Sequence, residues 1–249
     1  MNNISTFYVK NNQILDKKIR ITGEDVNHIK GALRHKVGDE LTICSESGER
    51  YSAKIAEITN DEIILNITEH IDFSTEPDVN ITLVQGLPKS DKMDFIVQKA
   101  TELGVSNVIP VITDRVIVKI DESNEKKKVD RWNKIVFEAS KQSGRTRVPT
   151  VENIVNLENI IEKLSKYDIV IVPYECEKEN TIKAILTNIH TNVKDVAVVI
   201  GPEGGFSVSD IDALKRLDNI KLVSLGKRIL RTETAGIATI AMLLYEYDL

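Results

Sequence analysis

The stretch VVIGPEGGFSVSD, Val198–Asp210, sets an apolar run against a turn of three glycines, a proline and a glutamate. The apolar run reads as a buried strand, and the glycines as a loop where backbone comes close to a ligand or to another segment. Ser207 then stands as an N-cap with Asp210 three residues on, a capping-box variant, and Ile211, Leu214 and Leu217 give the next helix its apolar stripe. Open α/β sheets bind ligands beyond the carboxyl ends of their strands, which is where this loop falls. It lacks GxxxxGKS/T and does not fit GxGxxG, so it carries neither phosphate fingerprint.

Two more loops share this setting. VPYE (Val172–Glu175) ends the apolar burst DIVIVPYE, and LGKRILRTETAG (Leu225–Gly236) runs into the apolar C-terminal segment. Thr232 is the expected N-cap of that last helix, with Glu233 near its positive end. Three strand-end loops are expected to converge on one pocket. They offer glycine backbone, apolar Pro173, Ile229 and Leu230, and one cation pair, Arg228 and Arg231. GPEGG itself has no basic residue, so a triphosphate finds little neutralisation there and a flat, mostly neutral adenosine fits better. Arg231 lies where the helix end disfavours a cation, which points to a substrate or catalytic use.

Working outward, the pattern predicts two domains, residues 1–73 and 74–249. The first reads as a small β-barrel, with strands Glu40–Cys44, Arg50–Ile58 and Glu62–Ile71 and a helix about Glu24–Arg34. The polar, proline-containing Phe73–Val79 is a linker. Strands and helices then alternate: Asn80–Leu87, helix Lys92–Leu103 closed by Gly104, strand-like NVIPV and RVIVKI, helix Arg131–Gln142, and strands Asp168–Glu175, Asp195–Ile200 and Lys221–Leu225. That order argues for an α/β domain on a largely parallel sheet. The last segment is apolar on nearly every side, as expected of a deeply buried helix or a subunit interface.

The 249 residues carry a net charge of −5, with 41% hydrophobic and 29% charged residues, values of an ordinary soluble globular protein. No apolar run approaches the ~20 residues of a membrane span, and the start MNNISTFYVK is no signal peptide. Cys44 and Cys176 lie far apart and the four histidines are scattered, so no metal site and a cytoplasmic setting are expected. Charge is uneven: Gln85–Thr150 holds 13 Lys/Arg against 9 Asp/Glu. Such a local basic face can serve a polyanion or be merely solvated.

IGPEGGFS followed by LGKRILRTETA resembles the paired motifs of the RsmE family, bacterial methyltransferases of uracil N3 in 16S rRNA within the SPOUT superfamily. HIKGALRHKVGD (His28–Asp39), KSDKMDFIVQKATELGV (Lys89–Val105) and RWNKIVFEASKQSGR (Arg131–Arg145) are similar to further family blocks in the same order, so the likeness covers nearly the whole chain. It implies a C-terminal trefoil-knot domain that binds S-adenosylmethionine, an N-terminal PUA-like RNA-binding barrel, a homodimer, and no metal. The cofactor residues would then be Val172, Pro173, Tyr174, Ile200, Gly201, Pro202, Gly204, Leu225, Gly226, Ile229, Leu230 and Thr234. Arg231 and Glu203 become the catalytic candidates. His28, Arg34, Lys89, Lys92, Arg145 and Arg147 become candidates for contacts to 16S rRNA or the small ribosomal subunit. Arg231 would hold the anionic uracil oxygens, while Glu203, Glu233 and water stay open as proton acceptors. Ribose 2′-O methylation and a non-catalytic rRNA-binding assembly role are the competing readings.

Overall fold

The computed structural model describes residues 6–89, 91–116, 122–188 and 193–247. The chain forms two compact units, Met1–Glu76 with Ser140–Val148, and Pro77–Ala139 with Pro149–Leu249. The segment Ser140–Val148 thus belongs with the N-terminal unit although it lies far along the chain.

The first unit holds β1 (Thr6–Val9), β2 (Ile14–Leu15), β3 (Lys18–Thr22), α1 (Glu24–Asn27), β4 (Glu40–Ser45), β5 (Arg50–Ile58) and β6 (Glu62–Ile71). The sheet order is β1-β4-β5-β6-β3-β2, with β1 parallel to β4 and the other pairs antiparallel. Ile19 and Ile21 of β3 are buried between exposed Lys18, Arg20 and Thr22, the period-two pattern of a sheet with one wet face. Register shifts at Ser52/Ala53 and Ile55/Glu57 bend β5 and curl the sheet around a core that includes Phe7, Ile29, Ile43, Ile55 and Leu65. Burial pushes the Cys44 thiol up to about 11, which leaves it an inert core residue.

The helix expected over Glu24–Arg34 is shorter and wider. After α1 the chain makes a π turn, His28–Ala32, in which Leu33 N–H reaches the His28 carbonyl, and Arg34 turns left-handed at φ +56°. A non-glycine residue in that conformation ends the helix.

Residues after the linker form β7 (Asn80–Gly86), α2 (Lys92–Leu103), β8 (Asn107–Ile112), α3 (Glu122–Ser143), β9 (Thr150–Val151), β10 (Val155–Asn156), α4 (Ile161–Leu164), β11 (Ile169–Pro173), α5 (Ile182–Asn188), β12 (Asp195–Ile200), α6 (Val208–Leu214), β13 (Ile220–Val223) and α7 (Thr232–Tyr247). The sheet is parallel throughout, ordered β10-β8-β7-β12-β11-β13, with β9 also on β8. The continuous apolar runs of β11 and β12 are buried on both faces, as the sequence pattern requires. α7 packs on α2 and beside β7 and β12, which brings its first turn to the carboxyl ends of both strands.

Gly104 closes α2 at φ +108°, its N–H reaching the Ala100 and Thr101 carbonyls. α3 begins earlier than expected, at Glu122, and carries Lys126 and Lys127 on its exposed side while Val129 and Trp132 are buried. The lysine run is therefore a solvated helix face. Residues 117–120, the end of the RVIVKI segment, lie outside the described residues.

At the end of β7 the Gly201–Pro202 backbone passes so close that a Cβ on Gly86 would lie 2.7 Å from Pro202 Cδ and N. Gly86→Ala is expected to cost about 1–3 kcal/mol of stability by forcing strand and loop apart. Chemical denaturation of the variant checks this, and an unchanged midpoint would show that the crossing yields easily.

Candidate active site

The three strand-end loops do converge. Pro173–Glu175 after β11, Ile200–Phe206 after β12 and Ser224–Thr232 after β13 line one cavity of about 960 Å³ in the second unit. Of the expected cofactor residues, Pro173, Tyr174, Ile200, Gly201, Pro202, Gly204, Leu225, Gly226, Ile229 and Leu230 line it. Val172 does not: it is fully buried in the sheet core. Thr234 is also absent from the lining, which at the start of α7 comes from Thr232 and Ala235. Ile229 is 91% exposed, so its side chain does not wall the cavity as an enclosed apolar contact would.

Local chemistry explains the shape of the glycine loop. The capping box forms as read: Asp210 N–H donates to Ser207 Oγ at 3.0 Å and Ser207 N–H to Asp210 Oδ2 at 2.8 Å. Asp114, just after β8, accepts from the Ser207 and Ser209 hydroxyls, and these bonds hold its carboxyl below the usual range. Arg115 donates to the Gly204 carbonyl at 2.9 Å. Gly205, at φ +68°, has the Glu175 carboxylate against it; an added Cβ would be 2.6 Å from Oε1. A carboxylate in that place opposes a phosphate in the loop and agrees with the absence of a Walker pattern.

Glu203 is a clamp. Its carboxylate accepts from Lys89 N–H at 3.1 and 3.2 Å and from Lys92 Nζ at 2.7 Å. Burial works to raise its pKa, but Lys92 and backbone donors outweigh it and hold the carboxyl below the ordinary value. Glu203, a catalytic candidate from the sequence, therefore sits at the cavity with its carboxylate engaged by two lysines of the same unit. Lys92, expected on RNA phosphate, is instead engaged with Glu203 and lies 3.9 Å from Glu233. Arg231 is exposed at the cavity, and among the described residues no carboxylate pairs with it. Its carbonyl accepts from Ala235 N–H at 2.8 Å, which makes Arg231 the residue that caps α7. Thr232, expected as that cap, is the first helical residue, and its hydroxyl turns to the Gly201 carbonyl at 2.6 Å.

The remaining RNA candidates are dispersed. Lys89 is exposed beside the glycine loop. His28, with its ring edge-on to Phe7, Arg34 and Arg147 are exposed on the first unit. Arg145 is only 4% exposed, and its guanidinium pairs with Glu76. That pairing holds Ser140–Val148 against Glu76 within the first unit. The sequence reading missed Gln85, Arg115, Glu175 and the hydroxyl role of Thr232. Gln85 alone left a signal, as a polar residue ending an apolar strand.

The donor set suits S-adenosylmethionine. Loop backbone around Gly201, Gly204 and Gly226 gives close approach, Ile200, Leu225 and Leu230 give apolar walls, and Glu175, Glu177 and Glu203 give negative charge toward a sulfonium. Comparisons with known proteins agree with this class of site. Residues 75–244 match the RNA methyltransferase domain model, and residues 21–68 the RNA methyltransferase PUA domain model. These define an RNA methyltransferase with a PUA-like N-terminal domain. Ribosomal RNA small subunit methyltransferase E of Bacillus subtilis is 34% identical over 92% of this chain and 90% of its own length. The Aquifex aeolicus protein of that name is 33% identical over 88% and 91%. The crystal structure of ribosomal RNA small subunit methyltransferase E from Neisseria gonorrhoeae, bound to S-adenosyl methionine, superposes with a TM-score of 0.82 at 30% identity, covering 97% of each chain. This chain belongs to the ribosomal RNA small subunit methyltransferase E family.

Proposed function

We propose that this protein transfers a methyl group from S-adenosylmethionine to uracil N3 of a uridine in the 16S rRNA of the small ribosomal subunit. The observation that carries the reading is one cavity built by three strand-end loops, with Arg231 at the start of α7 unpaired by any carboxylate among the described residues. The relatives, named as ribosomal RNA small subunit methyltransferases, support the RNA class, and the resemblance of the sequence motifs to the RsmE family implies the N3 position.

When bound, S-adenosylmethionine supplies an electrophilic methyl on a sulfonium. The glycine backbone and Pro173, Leu225 and Leu230 would hold its adenosine, and Glu175 and Glu203 would favour its positive charge. N3–H is a weak acid, and negative charge spreads to O2 and O4 as the proton leaves. Arg231 offers a permanently charged planar donor to those oxygens. Glu203, Glu233 and water stay open as proton acceptors; the Glu203 carboxylate is engaged by Lys89 N–H and Lys92 Nζ. Nothing in this sequence of events requires a metal.

Calorimetry tests the cofactor assignment: S-adenosylmethionine should bind with one site per chain, and ATP should not compete. No binding would overturn the enzyme reading. Glu203→Gln is expected to lower turnover no more than about tenfold by loosening the Lys89–Lys92 clamp, whereas a general base would cost far more. The pH dependence follows in sign. The clamp is present above the ordinary glutamate pKa, and cofactor affinity falls as pH drops through the lowered folded value.

We extend the proposal to a homodimer acting in the cytoplasm. α7 leaves Met242 and Tyr245 exposed, and α2 leaves Phe95 exposed, apolar surface suited to a second copy. A sedimentation mass of one chain would refute the dimer.

A further inference from the structure

Gln85 is fully buried at the end of β7, between the glycine loop and the first turn of α7. Its Nε2 donates to the Gly86 carbonyl at 2.8 Å and to Thr232 Oγ at 2.9 Å. The Gly86 carbonyl can only accept, so the amide orientation is fixed. Thr232 receives a hydrogen bond from Gln85, and its own proton therefore goes to the Gly201 carbonyl, 2.6 Å away. The result is a one-way chain from β7 through α7 to the loop after β12.

Among the described residues Gln85 Oε1 is buried without a hydrogen-bond partner, facing Gly236, where an added Cβ would be 3.6 Å away. A methionine would fill this space without the orphaned oxygen, but it would also take the donor from the Gly86 carbonyl and Thr232. A glutamine kept here at the cost of one orphaned oxygen points to a use for the two bonds its Nε2 makes.

We infer that Gln85 and Thr232 are positioning residues that lock the glycine loop to the residue before α7, Arg231. Gly201 belongs to the cofactor wall, and Arg231 caps the helix whose first residue is Thr232. The relay sets the distance between the group that holds the methyl donor and the group that faces the uracil. Positioning of this kind controls turnover more than affinity. Its catalytic consequence rests on the methyltransferase reading, whereas the relay itself does not.

Hydrogen exchange in the ligand-free protein tests the relay, using two amides bonded inside the joined segments. Gly205 N–H reaches the Pro202 carbonyl and Ala235 N–H the Arg231 carbonyl. In Thr232→Val both are expected to exchange about tenfold faster, while Val198 in β12 is unchanged and Thr232→Ser restores protection. Gln85→Met is expected to act in the same direction and serves if Thr232→Val folds poorly. In the methyl-transfer assay the valine variant is expected to lose about tenfold in kcat with S-adenosylmethionine affinity nearly kept. Unchanged exchange at Gly205 and Ala235, or a rise matched at Val198, overturns the relay. Absence of transfer by the unaltered protein counts against the methyltransferase reading, and the exchange data then decide the relay alone.

Discussion

Replacing Arg231 with alanine is expected to lower kcat for methyl transfer about 10²–10³-fold, the cost of losing one donor aimed at developing negative charge. Affinity for S-adenosylmethionine should change little. Arg231 is exposed at the cavity, has no carboxylate partner among the described residues, and contributes its carbonyl, not its side chain, to the start of α7. The helix end repels a cation, so the fold gains nothing from the guanidinium in that position. Lysine in its place should recover only part of the rate, because a point charge cannot span two oxygens as the planar fork does. Single-turnover kinetics beside calorimetry separates the two effects. Unchanged turnover in the alanine variant would refute the assigned role.

Glu76→Ala is expected to be the most damaging change to the first unit, at about 3–5 kcal/mol. Glu76 pairs with the Arg145 guanidinium, and it accepts from the backbone N–H groups of Thr146 and Arg147 at 3.0 Å each. Removing the carboxylate takes the acidic partner from a side chain only 4% exposed and the acceptor from the Arg147 amide, while the Thr146 amide keeps Thr75 Oγ1 at 2.9 Å. The segment Ser140–Val148 would then lose part of its hold on the N-terminal sheet, where Tyr8 also donates to the Ser140 carbonyl at 3.1 Å. Denaturant unfolding followed by circular dichroism measures the loss. A change below about 1 kcal/mol would mean that the segment is held by other contacts.

Several elements were legible because local chemistry fixes them. α2 ran as read from Lys92 to Leu103, since its apolar spacing and Gly104 mark both its face and its end. The apolar bursts of β11 and β12 can only be strands covered on both faces, and Ser207 with Asp210 announced α6. The convergence of the three loops followed from their shared place after parallel strands.

Other features depend on partners remote in sequence. β1 is four residues long and pairs in parallel with β4, a match no local pattern reveals. Arg145 looked like a phosphate ligand because its neighbours are basic; its burial depends on Glu76, 69 residues away. Glu203 was a candidate through the family resemblance, and its partners, Lys89 and Lys92, lie more than 110 residues away in sequence. The hydroxyl of Thr232 was assigned to its own helix, the local choice, yet it serves Gly201 across 31 residues. In each case the residue type was informative and the partner was not.

The most direct test of the central claim is nucleoside mass spectrometry of 16S rRNA from small ribosomal subunits lacking this modification. The subunits are incubated with the purified protein and methyl-deuterated S-adenosylmethionine. The expected product is deuterated N3-methyluridine at one position. Label on a ribose 2′-oxygen, or no label in the RNA, would contradict the account.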